Sequence, residues 1–343
     1  MVRLKDIARY AGVSVMTVSK ALRDEPDVSA TTKARIKSLA QQMGYVPDSS
    51  AQGLRTRTSK LFGLVIPSST DPIFSRIVFA IEDRAHELGY DILLAHTHNL
   101  AAREEVCIRR LLARRVDGLF ISPVYRFEAE ARIYQEVLAR QVPTVLIGPP
   151  APFCKSFVSV ETDEQVASHT ATQHLLKLGH KRIAYLTGPP TAPWAHERFE
   201  GYRRALREAG MDADDKLVFQ AGNTIAEGTK ATLQMLNESC NATAVQAVND
   251  LVAIGCAEAL FAKGLRIPED ISLVGFGNIL TAEYFRVPLT TIRQPKHRLG
   301  MAAVEAMMNL LKGLRVEMKR LPAELIERKS TAPPKAGAIA NPA

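Results

Sequence analysis

From residue 61 onwards, short apolar runs alternate with amphipathic stretches, and this alternation restricts the possible folds more than any other feature. Short apolar runs between turns are typical of buried strands, and the stretches between them have helical spacing. Repeated strand–helix–strand order predicts parallel, doubly wound sheets. Because the strands are too many for one sheet of ordinary size, we expect two sheets with a cleft between them. The predicted strands are 61–66, 91–95, 116–121, 144–147, 181–187, 244–248 and 271–276.

The stretch Lys5–Leu22 predicts two short helices joined by a tight turn, because its apolar stripe is interrupted and then resumed. Gly12 supplies the backbone freedom that the turn needs, and Ser14 stands where a side chain can cap the second helix, which therefore begins near Val15. This layout is typical of a helix-turn-helix, whose second helix enters the major groove of DNA. An ordinary amphipathic helical hairpin fits the same pattern equally well.

Two further helices are predicted before the apolar alternation begins. Ser29 or Thr31 can cap a third helix, which ends at Gly44. Residues 48–55 can form a fourth, but it is short and contains glycine, so it is marginal in water and is expected to fold only against a partner.

The positive charge of the chain is concentrated near its N-terminus. The 343 residues carry a net charge of +8, and residues 1–60 contain 11 basic and 5 acidic side chains. Most of the excess therefore coincides with the predicted helix-turn-helix, as in a nucleic-acid-binding segment attached to a nearly neutral body. A solvated basic face is the alternative, but it does not account for that coincidence.

Several classes of protein are disfavoured by missing signals. The four cysteines have no metal-ligand spacing and suggest neither a zinc site nor a disulfide framework, and no cofactor is implied. Phosphate-binding, serine-hydrolase, zinc-protease and dinucleotide-binding motifs are absent, so an enzyme is not expected. No apolar segment resembles a signal peptide or a membrane span, which favours a cytoplasmic, nucleoid-associated protein without membrane contact.

Taken together and in order, nine stretches between about residue 4 and residue 331 resemble the LacI/GalR (lactose-repressor) family of bacterial transcriptional regulators. They include KDIARYAGVSVMTVSKAL, GYVPDSSAQGLRT, RRVDGLFISP, VNDLVAIG and GLRIPEDISLVGF. The resemblance implies a small all-α helix-turn-helix headpiece, a hinge helix, and an α/β periplasmic-binding-protein-like core. That core has two doubly wound parallel-sheet subdomains, binds a small effector between them and dimerises.

The resemblance also implies domain boundaries, including a disordered C-terminal tail. We expect a headpiece at 1–46, a hinge and linker at 47–60, an N-subdomain at 61–162 plus 293–322, a C-subdomain at 163–292 plus 323–330, and a tail at 331–343.

By resemblance, the base-contacting residues are Val15, Met16 and Lys20. Lys20 can donate to guanine O6 or N7, whereas Val15 and Met16 can make only apolar contacts, for example with a thymine methyl group. Thr17 and Ser19 suit phosphate contacts. A core position for Met16 is the alternative, although the inward stripe is already filled without it.

The hinge contributes three further predicted DNA contacts. Leu54 corresponds to the family's hinge leucine, which opens a base step in the minor groove. Arg55 and Arg57 stand where minor-groove or phosphate contacts are expected. Gly53 replaces a residue that is usually polar in the family, so weaker hinge folding is expected.

Seven residues correspond to effector-binding positions of the family. Phe74 fits core packing equally well, and Arg198 could instead pair with Glu197 or Glu200 on the surface. The seven are Asp71, Phe74, Trp194, Arg198, Asn223, Asn249 and Gly277.

Two of the family's acidic positions are glycines in this chain, Gly148 and Gly277. Sugar-binding members usually grip hydroxyl groups with carboxylates there. Losing both carboxylates while keeping Arg198 predicts a more positive pocket, which would suit a sugar acid or another small carboxylate.

The sequence therefore predicts a homodimeric, effector-controlled regulator of pseudo-palindromic double-stranded operator DNA, with a repressor favoured over an activator. A solute-binding protein of the periplasmic type is the alternative, since the core alone would permit it. The basic headpiece and the missing signal peptide argue against that alternative.

Overall fold

The computed structural model describes residues 2–46, 58–238 and 240–335, in two compact units that meet between Ser59 and Lys60. The first unit contains three helices, α1 (Leu4–Ala11), α2 (Val15–Leu22) and α3 (Ala30–Gln42). The predicted hinge helix at 48–55 lies outside the described residues.

Local capping sets the ends of these helices as predicted. Gly12 ends α1 in the left-handed conformation, with φ of 64°, and the Ser14 hydroxyl accepts the Thr17 amide at 3.0 Å to start α2. Ser29 caps α3 in the same way. The three helices bury one small core, which includes Ile7, Val18, Ala21, Ile36 and Ala40.

The second unit is built from strands and helices in alternation. In chain order they are β1 (Leu61–Ile66), α4 (Pro72–Glu87), β2 (Asp91–His96), α5 (Ala101–Ala113), β3 (Gly118–Ile121), α6 (Arg132–Ala139), β4 (Thr144–Ile147), β5 (Val158–Thr162), α7 (Glu164–Lys177), β6 (Ile183–Thr187), α8 (Pro193–Glu208), β7 (Val218–Gln220), α9 (Ile225–Asn237), β8 (Ala244–Ala247), α10 (Asp250–Ala262), β9 (Ser272–Gly277), α11 (Leu280–Tyr284), β10 (Thr290–Arg293), α12 (Lys296–Leu311), β11 (Lys319–Leu321) and β12 (Glu324–Ile326).

These strands form two six-stranded sheets, which define two lobes. The order is β11-β5-β4-β3-β1-β2 in the first lobe and β12-β10-β9-β8-β6-β7 in the second. Every strand pairing is parallel except that of β10 with β12. The chain passes from one sheet to the other after β5, β10 and β11. The predicted fold class, a helical headpiece with a core of two doubly wound sheets, is confirmed.

Both faces of each sheet are covered by helices, which explains the continuous apolar runs of the central strands. In the first lobe, α4 and α12 pack on one face, and α5 and α6 pack on the other. In the second lobe, α9 and α10 cover one face, and α7 and α8 cover the other. Among the described residues, no helix is long and apolar enough to cross a bilayer.

Two features of the core differ from the prediction. Strand β2, predicted to be buried, is an edge strand with no buried residue, and Leu94 is 41% exposed. Residues 331–335, predicted to be part of a disordered tail, pack against the second lobe instead. The Ala332 amide donates to the Ser272 hydroxyl at 3.0 Å, and Lys335 pairs with Asp270. Side-chain and backbone hydrogen bonds, which hydropathy does not register, hold this segment.

A buried histidine joins this C-terminal segment to the sheet. His180 is 2% exposed, and its Nε2 lies 2.9 Å from the Ala332 carbonyl oxygen. Because a carbonyl oxygen can only accept, Nε2 donates, and Nδ1 accepts from the Thr243 hydroxyl at 2.9 Å. The imidazole is therefore neutral, and burial lowers its pKa below the usual 6.5.

We expect the second lobe to lose stability as the pH falls below 6.5. Under these conditions the unfolded chain binds a proton that folded His180 resists, so the free energy of unfolding decreases by at most about 1.4 kcal/mol per pH unit. Urea unfolding on either side of pH 6.5 measures this slope. His180→Gln should flatten it, and an unchanged slope in that variant would contradict the assignment.

Candidate functional site

The second helix of the headpiece presents two apolar side chains to solvent at its N-terminus. Val15 is 46% exposed and Met16 is 63% exposed, so the alternative that Met16 belongs to the core is wrong. Thr17 and Ser19 are half-buried, and the Thr17 hydroxyl lies 2.9 Å from that of Ser14. An exposed, capped helix start is what major-groove reading requires.

The Lys20 ammonium pairs with the Asp27 carboxylate on the same unit. Both side chains are substantially exposed, 38% and 52% respectively, so the pair is screened by water. Lys20 must leave this partner before it can donate to a base. Asp27 is therefore a competitor for the predicted guanine contact.

We expect Asp27→Asn to strengthen DNA binding by a few-fold, because it frees Lys20 and removes a negative charge near the phosphates. Fluorescence anisotropy with labelled duplexes measures the change. Asp24→Asn is the matched control, since Asp24 pairs with Lys37 elsewhere on the headpiece. Weaker binding by Asp27→Asn would instead mean that Asp27 orients Lys20 for DNA.

A cavity of about 400 Å³ lies between the two lobes of the core. Its wall is formed where strands of both sheets end, as expected for parallel sheets: Ser122 follows β3, Gly148 follows β4 and Asn249 follows β8. Six of the seven predicted effector residues line it, namely Asp71, Phe74, Trp194, Arg198, Asn223 and Asn249. Gly277, at the end of β9, is not among the lining residues.

Several lining residues also stabilise the local structure. Asp71 caps α4 by accepting the Ile73 amide at 2.8 Å, and Asn249 caps α10 by accepting the Val252 amide at 2.7 Å. Phe74 both lines the cavity and packs against the core of the first lobe, so the two interpretations of this residue are compatible.

Arg198 is held rigidly inside the cleft wall and is only 5% exposed. Its Nε donates to Glu164 Oε2 at 2.7 Å, and its Nη1 donates to the Val248 carbonyl oxygen at 2.6 Å. The guanidinium carbon lies 3.6 Å from the ring centre of Phe276 and 4.8 Å from that of Trp194. A surface ion pair with Glu197 or Glu200 was the alternative for Arg198, and it is wrong, because this guanidinium is buried and stacked.

The predicted positive pocket is also wrong. Four carboxylates line the cavity, those of Asp71, Glu161, Glu164 and Asp250, and the one guanidinium among the lining residues is already paired with Glu164. Burial raises the pKa of all four carboxyl groups. Sequence reasoning missed Glu161, Glu164 and Asp250. Their signal was position: two lie at the end of β5, a strand that was not predicted, and one starts a helix after β8.

Other side chains fill the space beside the two glycines. A Cβ atom on Gly148 would lie 3.1 Å from the Tyr125 hydroxyl, which donates to the Pro149 carbonyl oxygen at 2.8 Å. Gly277 has φ of 135°, and a Cβ there would lie 3.3 Å from Asp250 Oδ2. Tyr125 and Asp250 therefore occupy the neighbourhood in which the resemblance implied other acids.

Asp250 is buried at the boundary between the lobes. Its Oδ1 accepts from the Thr291 hydroxyl at 2.6 Å, and its Oδ2 accepts from the Ile279 amide at 2.9 Å. Nearby, Lys296 at the start of α12 donates to the carbonyl oxygens of Gly277 and Asn278 in the second lobe. Burial lowers the pKa of Lys296 to about 8, and Asp250 opposes that shift. The lysine thus connects a helix of the first lobe to the second.

A helix-turn-helix unit joined to a two-lobed core with a polar cleft defines a DNA-binding regulator whose core is like a periplasmic binding protein. Residues 3–48 match the family described as bacterial regulatory proteins, lacI family, and residues 172–331 match a periplasmic binding protein-like domain. The chain belongs to the LacI family of bacterial regulatory proteins and is a DNA-binding transcriptional repressor with an effector-binding core.

The similar proteins span almost the whole chain. The HTH-type transcriptional repressor PurR of Vibrio atlanticus is 32% identical over 334 residues, covering 96% of this chain and 98% of its own length. The ribose operon repressor of Escherichia coli K12 is 32% identical over 321 residues, with 94% and 96% covered. A crystal structure of the lac repressor dimer bound to operator and the anti-inducer ONPF has a TM-score of 0.86 and 30% identity, with 96% and 99% covered.

Proposed function

We propose that this repressor binds a pseudo-palindromic operator as a homodimer, and that a small effector in the cleft controls the binding. The observation that carries the proposal is that both lobes form the wall of the cleft, Asp71 from the first and Arg198 from the second. A ligand that contacts both lobes favours one arrangement of them over another. If DNA affinity depends on that arrangement, effector and operator influence each other reciprocally.

The dimer is supported by the lac repressor structure, which is described as a dimer bound to operator. A two-fold symmetric reader recognises two half-sites, which explains the pseudo-palindrome. With operator DNA as its partner, the protein would act in the cytoplasm at the nucleoid. A solute-binding role of the periplasmic type is not favoured, because residues 3–48 match the lacI family.

For DNA reading we propose the contacts predicted from the sequence. Val15 and Met16 would touch apolar base edges, Lys20 would donate to guanine, and Thr17 and Ser19 would contact phosphates. Support comes from the exposure of Val15 and Met16 at the capped end of α2. Leu54, Arg55 and Arg57 would contact the minor groove, and they lie outside the described residues.

The carboxylates of the cleft bear on the class of effector. A sugar acid or other small carboxylate was predicted from a positive pocket, but an anion would meet four carboxylates and a guanidinium that already has its counter-charge. The structural support for a carboxylate effector is therefore limited to Arg198. We propose a small polar metabolite that also stacks on the apolar wall formed by Phe74, Trp194 and Phe276.

The experiment that tests the proposal begins with selection of an operator from random duplexes by the purified full-length chain. Mass measurement of the complex should give two chains per duplex, and a metabolite panel should contain compounds that change operator affinity. Binding to DNA without sequence preference, or as a monomer, would contradict the proposal.

Leu54→Ala should weaken operator binding by about tenfold and leave effector binding unchanged, because a minor-groove wedge contributes only to the DNA complex. A mobility-shift titration measures the first effect, and Trp194 fluorescence, which comes from the only tryptophan of the chain, measures the second. Unchanged operator binding would remove Leu54 from the proposed interface.

A further inference from the structure

A second charged cluster lies beside the Arg198–Glu164 pair and joins the two lobes. Arg320 on β11 donates from Nε to Glu161 Oε1 at 2.5 Å and from Nη2 to Glu197 Oε1 at 2.7 Å. Glu161 belongs to β5 of the first lobe, and Glu197 belongs to α8 of the second. One guanidinium is therefore shared between two carboxylates.

Glu161 is the member of this cluster that reaches the ligand cavity. It lines the cavity wall and is only 1% exposed, yet its Oε2 has no hydrogen-bond partner among the described residues. Buried carboxylate oxygens are normally satisfied, so one left unpaired in a cavity wall is an acceptor for a group that the protein does not supply.

The charge around Glu161 determines what kind of group can fill that role. Three glutamates, Glu161, Glu164 and Glu197, face two arginines, Arg198 and Arg320, which leaves one negative charge in excess. A ligand carboxylate placed here would be repelled, whereas an O–H or N–H donor would be attracted.

We propose that Glu161 is a specificity-determining residue of the cleft, which accepts a hydrogen bond from a hydroxyl or ammonium group of the effector. The effector class is then a compound rich in hydrogen-bond donors, such as a neutral sugar or an amino sugar, rather than an acid. This inference rests on the proposed effector role of the cleft.

Three probes of one size test the preference: glucose, glucosamine and glucuronate share a pyranose ring and differ in charge. Trp194 in the cavity wall reports binding by its fluorescence. We expect full-length protein to bind glucose and glucosamine, and to bind glucuronate at least about tenfold more weakly, the ratio that one charged hydrogen bond supplies. Comparison of glucose with glucosamine shows whether the donor is a hydroxyl or an ammonium group.

Glu161→Gln should narrow the ratio, because glutamine removes the charge and offers a donor to the acid. Glu200→Gln is the matched control, since Glu200 is an exposed residue of α8 that pairs only with Arg203 among its neighbours in the described chain. Glucuronate binding as tight as that of glucose, no binding of any probe, or an unchanged ratio in Glu161→Gln would each overturn the inference. The wild-type ranking needs no variant, so it decides the matter even if Glu161→Gln does not fold.

The proposed function has a separate failure. If the full metabolite panel contains no compound that changes operator affinity, effector control itself is contradicted. If the panel contains such compounds but they are acids, only the assignment of Glu161 is overturned.

Discussion

Arg198→Met is expected to abolish effector binding and to lower the free energy of unfolding by about 3–5 kcal/mol. The side chain is buried and pairs with Glu164, which is itself only 4% exposed. Removal of the guanidinium leaves this carboxylate buried without its counter-charge, and it also leaves the Val248 carbonyl oxygen without the donor at 2.6 Å. Methionine keeps much of the contact with Phe276, so the loss reports mainly on charge and hydrogen bonding.

A second substitution separates stability from binding. In Arg198→Met/Glu164→Gln the buried charge is gone, and most of the lost stability should return, while effector binding stays absent. Arg203→Met is the control, because Arg203 is an exposed residue of the same helix. Urea unfolding measures the first effect and Trp194 fluorescence the second. Wild-type stability of the single variant would show that Glu164 is not held by Arg198.

The headpiece was the part of the fold that local signals predicted best. Gly12, Ser14 and Ser29 mark helix ends through interactions within a few residues, so their effect can be derived from spacing alone. The central strands were similarly clear, because each is buried on both faces. The short strands β7, β11 and β12 carry no such pattern, because each has only three residues and lies near a sheet edge.

The charge of the cleft could not be predicted in the same way. The sequence contains Glu161, Glu164 and Asp250, but their convergence depends on three chain crossings between the sheets. Arg198 was placed correctly in the cleft wall, yet its partner lies 34 residues away. The prediction of a positive pocket counted the carboxylates lost at two positions and not those gained from neighbouring strand ends.

The largest loss of stability from a single hydrogen-bonding group is expected for Asp250→Ala. Asp250 is 1% exposed and accepts from the Thr291 hydroxyl and the Ile279 amide. Alanine leaves both donors buried without a partner, at a cost of about 1–3 kcal/mol each. It also removes the carboxylate that opposes the lowered pKa of Lys296. Urea unfolding monitored by far-UV circular dichroism should show a loss of several kcal/mol by this arithmetic.

Asp250→Asn separates the hydrogen bonds from the charge. The asparagine oxygen can accept the Ile279 amide, and the Thr291 hydroxyl can rotate to accept from the asparagine nitrogen, so both contacts persist and the structural loss is small. The charge is nevertheless gone, and the pKa of Lys296 should fall further below about 8. Over the pH range between that lowered value and the lysine's ordinary pKa, the unfolded chain binds a proton that the folded chain lacks, so stability rises with pH. Asp250→Asn should therefore show a steeper rise around neutral pH than the wild type, and equal slopes would mean that Asp250 and Lys296 do not interact.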